Sequence, residues 1–254
     1  IFITLGVIFI FTISYLLIPA FYDKNTIKAE LENQILDQYN LKVKFEQPLK
    51  YGLFPKPHFF SKKTIIEYKS SDVATSNNTK IFISIQNFFS SDFLKTQNLV
   101  FKKTEFKIDK SNIKFFLDLL DENKSSQNID FLNSKLFYLD QNDDVIFIVN
   151  VKDLNFLYQD IFLQKLSSKI EIFNLPVNLK TEHSTINKKF ITEIKLSPLR
   201  LNIKNNLNYN GEKLKGKLEL SIINKSKKIN YDFKNNLLTF NTSTNDISGD
   251  ILIK

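Results

Sequence analysis

The first 22 residues read IFITLGVIFIFTISYLLIPAFY, an uncharged run dominated by Ile, Leu, Phe and Val. Crossing a hydrocarbon core about 30 Å thick takes roughly 20 such residues as a helix. The pattern therefore predicts a transmembrane anchor over residues 1–22, with Tyr15 and Tyr22 suited to the aromatic belt at the interface. A cleaved signal peptide has a shorter apolar region, about 7 to 15 residues, ahead of a small-residue cleavage site. No A-x-A precedes Asp23, so the span is expected to stay attached. No second uncharged run of that length follows, and residues 23–254 are expected to form one water-facing, β-rich body.

Beyond the anchor, Ile27, Leu31 and Ile35 fall on one helical face, with Asn25 or Thr26 placed to cap the start. This stripe is expected to pack on the domain, because the neighbouring Glu30, Glu32 and Asp37 would be repelled by anionic headgroups. Leu41, Val43 and Phe45 then alternate with Lys42, Lys44 and Glu46, the period of a half-buried strand. Pro55 and Pro57 cannot donate to a ladder, which makes their segment an edge, a bulge or a loop. Strands are predicted over 64–68, 81–89 and 99–108, the polar stretch SSDVATSNNT separating the first two. A helix is predicted over 111–120, capped by Ser111 and apolar at Phe115, Phe116, Leu119 and Leu120. Strands follow over 131–140 and 145–155 around a turn at 141–144, then over 169–174, 177–183 and 190–196.

The clearest alternation covers 199–209. Leu199, Leu201, Ile203, Leu207 and Tyr209 point one way; Arg200, Asn202, Lys204, Asn206 and Asn208 point the other. Asn210-Gly211 supplies a turn tolerant of positive φ. Leu214, Leu218, Leu220 and Ile222 repeat the pattern opposite Lys213, Lys215, Lys217 and Glu219, and Ile229, Tyr231 and Phe233 continue it. The fold class expected is mainly β: an N-terminal transmembrane helix, then a long antiparallel curled sheet forming an open groove, with two short helices. Such a sheet must cover its apolar face. A second sheet would make a closed sandwich; an open trough would leave the face to the acyl chains of a ligand. In the second case the candidate lining residues are Leu199, Leu201, Ile203, Leu207, Leu214, Leu218, Leu220, Ile222, Tyr231 and Phe233.

Composition narrows the chemistry. The chain has 254 residues, no Cys, 2 His and 5 Gly, so thiolate sites are excluded and His-based catalysis and glycine-rich phosphate cradles have little material. No cofactor is expected, and no enzyme signature stands out. The run from Gly211 to Lys217 imitates a P-loop, but Leu218 occupies the position of the Mg²⁺-binding hydroxyl and the context is strand-turn-strand. Asp140, Asp143 and Asp144 lack the EF-hand spacing and read as a solvated turn. His58 and His183, both near turns, read as surface groups. Met is absent, even at position 1, so the sequence is expected to be a fragment at its N-terminus. The net charge of +8 is spread over nearly every polar strand face instead of gathering in one patch. That distribution suits solubility and edge protection better than nucleic-acid binding.

In order, these features resemble the AsmA family of bacterial envelope proteins, relatives of the bridge-like lipid-transfer proteins. The matching run is a single span leading into Phe21-Tyr22-Asp23, a short amphipathic helix ending near Gln38, and the strand with Leu41, Val43 and Phe45. Then come Leu53-Phe54-Pro55-Lys56-Pro57, similar to the family's Phe-Pro-x-Pro segment, the strand, turn and strand over 81–94 and 96–108, and the next strand pair over 129–140. Tyr39-Asn40 stands where the family commonly has Thr-Gly, and Gln47 where a glycine is usual. The resemblance covers roughly residues 1–158. It implies a bacterial inner-membrane anchor, a periplasmic body, and a β-groove that shelters phospholipid or a similar amphiphile in outer-membrane lipid homeostasis. The alternative reading is a non-catalytic scaffold for envelope proteins, built on a closed β-sandwich.

Overall fold

The computed structural model describes residues 2–86, 88–90, 94–121, 127–160, 162–211, 213–223, 225–242 and 247–252. Ile1 of the expected anchor, Asn87 of the expected strand over 81–89, and Glu212 of the P-loop-like run lie outside them. Helix α1 covers Phe2–Leu17 and passes into a 3₁₀ turn, Ile18–Phe21, that begins at the residue before Pro19. Together these supply 19 residues, Ile3–Phe21, with mean hydropathy 2.2, of which 6% are buried; the segment is long and apolar enough to cross a membrane.

Helix α2, Lys24–Tyr39, is capped by Asp23. One Asp23 carboxylate oxygen accepts from the backbone of Asn25 at 3.1 Å and of Thr26 at 2.8 Å, so the cap stands two to three residues before the expected ones. Those bonds hold the Asp23 carboxyl below its ordinary pKa. The stripe Ile27, Leu31 and Ile35, with Tyr39, is buried in the domain, which bears out the packing expectation. Glu32 adds a polar clamp by accepting from the backbone N–H of Phe45 at 2.7 Å.

The strands are β1 Lys42–Phe45, β2 Lys50–Gly52, β3 His58–Ser61, β4 Thr64–Tyr68, β5 Ser71–Ile83, β6 Thr96–Ile108, β7 Asn128–Leu139, β8 Val145–Asp160, β9 Leu163–Ile172, β10 Leu175–Ser184, β11 Lys189–Leu196, β12 Leu201–Asn210, β13 Lys213–Ile222, β14 Lys225–Lys234, β15 Leu237–Thr242 and β16 Ser248–Leu252. All belong to one long, curled, open sheet. No second sheet covers it among the described residues, so the sandwich architecture is not the one adopted. From β4 onward spatial order follows sequence order. Strand β5 pairs with β4 along its first half and with β3 along its second, and β2 extends β3. Pro55 and Pro57 fall in the β2–β3 loop.

Three expectations are corrected. The polar stretch 70–79 is not a separator but most of β5. Its Ser76 and Thr79 are buried beside Val73, Ala74, Ile81 and Ile83, and the Ser76 hydroxyl donates to the Lys102 carbonyl at 3.2 Å, so at Ser76 a hydrogen bond accompanies burial. The sheet is not wholly antiparallel either: β6 and β7 are parallel, and a parallel pair needs a crossover, which contains helix α3, Phe115–Asp121. That helix starts later than expected. The turn before it is held by Asp109, whose carboxylate accepts from Ser111 N at 2.6 Å and Asn112 N at 3.2 Å.

The hydrophobic core gathers α2, α3 and the apolar face of β1 to β9. Phe131 sits at its centre, stacked on Phe101 with ring centroids 5.0 Å apart and edge-on to Phe106 at 5.1 Å. Helix α2 packs on β1 and β6, and α3 on β9. The turn at 141–144 forms as expected, with the Asp140 carboxylate accepting from Asn142 N at 2.8 Å and Asp144 N at 2.9 Å.

Candidate functional site

The apolar face that α2 and α3 seal at one end continues past them, with no lid over it among the described residues. Register fixes this, because residues directly opposite in a ladder project to the same side. Leu201, Ile203, Leu207 and Tyr209 of β12 face Ile222, Leu220, Gly216 and Leu214 of β13. Leu214, Gly216 and Leu218 in turn face Phe233, Tyr231 and Ile229 of β14. Eight of the candidates thus share one face and are half-buried: Leu201, Ile203, Leu207, Leu214, Leu218, Leu220, Tyr231 and Phe233. Ile222 shares the face at a strand end and is 54% exposed.

Leu199 does not join them. Ser197–Leu199 form a 3₁₀ turn in which Pro198 lacks a ladder donor. Arg200 then takes a left-handed φ of 47° and donates its N–H back to the Ser197 carbonyl at 3.1 Å. The strand starts at Leu201, and Leu199 is left 50% exposed beside it.

The face also runs through strands whose residues were not among the candidates. Leu196, Ile194 and Phe190 of β11 oppose Leu201, Ile203 and Leu207. Leu238 and Phe240 of β15 oppose Phe233 and Tyr231. The alternation Phe190, Thr192, Ile194, Leu196 is a sequence signal for the first set. In β15 two adjacent leucines blur the period. Apart from Thr242, no described residue of β11 to β16 is buried.

Two polar pairs on this face are bonded within it, which lowers the cost of a hydrocarbon neighbour at those points. The Tyr231 hydroxyl donates to Asn205 Oδ1 at 2.7 Å. His183 Nε2 and the Tyr209 hydroxyl lie 2.8 Å apart. Gly216 is where Tyr231 lies flat across the neighbouring strand: a Cβ there would meet the Tyr231 ring. His183 is therefore half-buried in the trough rather than a surface group, and His58 is buried, its Nδ1 2.8 Å from the Lys56 carbonyl.

The opposite face is a lattice of charge. Lys180, Glu193, Lys204, Glu219 and Lys228 follow one another across β10 to β14 with alternating sign. Burial of the Glu193 carboxyl works against ionisation, yet hydrogen bonds from Lys195 and Lys204, at 3.2 and 3.4 Å, hold its pKa below the ordinary value. Spreading Lys over the polar rows thus has a register-setting use, since a one-residue slip would move charges into the apolar face. A hollow of about 800 Å³ also opens on this polar side, bordered by Asn206, Lys215, Lys217, Asn230 and Asp232. Charged and amide side chains line much of it, with Tyr231 and Phe240 also at its border.

No family model matches the chain, and none of the curated proteins is detectably similar to it.

Proposed function

We propose that the protein is a single-pass, membrane-anchored binder of phospholipid or a similar amphiphile, holding acyl chains against the uncovered apolar face of β11 to β15 without catalysing a reaction. One observation carries this reading: the same continuous face is sealed by α2 and α3 at the N-terminal end and left half-exposed at the other, where two polar pairs, Tyr231–Asn205 and His183–Tyr209, are bonded within it. A soluble sheet would ordinarily hide such a face, because each methylene withdrawn from water is worth about 0.8 kcal/mol. Helix α1 supports placement at a membrane. The resemblance to the AsmA family extends the proposal to the bacterial inner membrane, a periplasmic body and a part in outer-membrane lipid homeostasis.

Native mass spectrometry of the full chain, released from a phospholipid membrane, tests this against a variant carrying Leu207→Asp and Leu218→Asp. Phospholipid adducts on the native chain that disappear from the variant are expected. Identical adducts on both, or none on either, would contradict it and favour a scaffold without a lipid site.

A further inference from the structure

The junction between α1 and the sheet is not a free linker. The Tyr15 hydroxyl donates to the Ile85 carbonyl at 2.8 Å and accepts from the Phe88 N–H at 3.1 Å. The Tyr15 ring stacks on Phe88 at 5.4 Å and touches Phe89 at 5.3 Å. On the other side of the helix end, the Tyr51 hydroxyl donates to the Leu16 carbonyl at 2.5 Å, and Tyr22 donates to the Phe88 carbonyl. Two segments of the β-body are therefore pinned at the level of Tyr15 and Leu16, yet the apolar stretch runs on to Phe21. From Tyr15 to Phe21 the axial rise is about 10 Å, at ~1.5 Å per α-helical and ~2.0 Å per 3₁₀ residue.

If residues 3–21 lie in hydrocarbon, whatever is fastened at Tyr15 lies there too. The side chains found at that level suit such a place. Phe89 is 81% and Ile85 57% exposed, and both leave the body beside the helix. The β2–β3 loop lies at the same end of the sheet as Ile85, because His58 pairs with Phe82 and the Ile83 N–H donates to the Pro57 carbonyl at 3.1 Å. That loop presents Phe54, 82% exposed, ahead of Lys56, whose long stem lets its ammonium reach the headgroups.

We infer that the body is seated in the bilayer by a second, non-spanning contact: Ile85, Phe89 and Phe54 enter the outer part of the same leaflet that α1 leaves. The depth matches that of interfacial apolar faces, about 5–10 Å. The inference rests on α1 being a membrane span. Its consequence is orientation, since three hydrogen-bonded tyrosines and three inserted side chains fix the sheet against the membrane instead of leaving it on a swivel.

The chain contains no Trp, so single Phe89→Trp, Ile85→Trp and Phe54→Trp variants report without background. Each full-length variant is reconstituted in phosphatidylcholine vesicles with or without lipids brominated at shallow acyl positions, and a Leu237→Trp variant marks the distal part of the sheet. Blue-shifted emission that is mostly lost to bromolipid at 85, 89 and 54, with unquenched emission at 237, is the expected result. Chains that float with vesicles yet show no quenching at 85, 89 or 54 would overturn the seating while leaving the span intact. Chains that fail to float would overturn both.

Discussion

Replacing Leu218 by Asp interrupts the trough at mid-strand, between Gly216 and Leu220 along β13 and between Asn205 and Ile229 across it. The six strands β11 to β16 are separated by five steps of about 4.8 Å, so the uncovered face extends roughly 24 Å across the strands. One leaflet's acyl layer is about 15 Å, half the hydrocarbon thickness, so an acyl chain fits within that extent. An open face covers a chain on one side only, which reduces the gain to about 0.4 kcal/mol per methylene, half the value for full burial. A hydrated carboxylate at position 218 denies contact to about four methylenes, a loss near 1.6 kcal/mol, or roughly ten-fold in affinity. Because Leu218 is only half-buried, the fold should lose about 1 kcal/mol and survive. The assay is dose-dependent crosslinking of a photoactivatable phospholipid to the vesicle-reconstituted chain. Lys217→Asp, one residue away but facing the polar hollow, is the control and should leave the curve unmoved. Equal curves for Leu218→Asp and the native chain would refute the reasoning; a shift with Lys217→Asp alone would place the ligand on the polar side.

Other outcomes follow from particular contacts. Gly216→Ala pushes the Tyr231 ring off β13 and breaks its bond to Asn205, costing about 1 kcal/mol in urea unfolding. Phe131→Ala opens the sealed core among Phe101, Phe106 and Phe156 and should cost about 3–5 kcal/mol, several times the effect of Leu218→Asp. Burial, with a smaller contribution from Tyr22, raises the Tyr51 phenol from 10.0 to about 12. Below pH 10 both folded and unfolded states carry the proton. Between 10 and 12 the unfolded chain releases it first, so stability falls as pH rises. Tyr51→Phe should therefore show a shallower fall in urea midpoint over that window, and an unchanged slope would contradict the burial.

Strand alternation made β12 and β13 legible, because a half-covered sheet preserves the period of two that burial on both faces erases. The helical spacing of four residues exposed Ile27, Leu31 and Ile35 as a packing stripe. Strand β5 was hidden because its buried positions include the polar Ser76 and Thr79, and the Ser76 hydroxyl bonds to the Lys102 carbonyl, a contact that no hydropathy pattern records. The parallel β6–β7 pair was hidden because strand order across a crossover depends on where α3 docks. From Leu201 onward the candidates share one half-buried face, apart from the strand-end Ile222. Leu199 stands outside the strand because alternation carries no information about where Pro198 interrupts the ladder, and nothing in the sequence signals the bonds of Tyr15 and Tyr22 to residues 85–88 or of Tyr51 to Leu16, since those contacts span long separations.

The most direct measurement of the central claim is a residue-resolved map of adducts from a diazirine-bearing phospholipid crosslinked to the full chain in vesicles. The account predicts adducts on the row Leu207, Leu214, Leu218, Tyr231 and Phe233, alongside those on α1. Adducts confined to α1, or concentrated on the Asn206, Lys215 and Lys217 side, would contradict it.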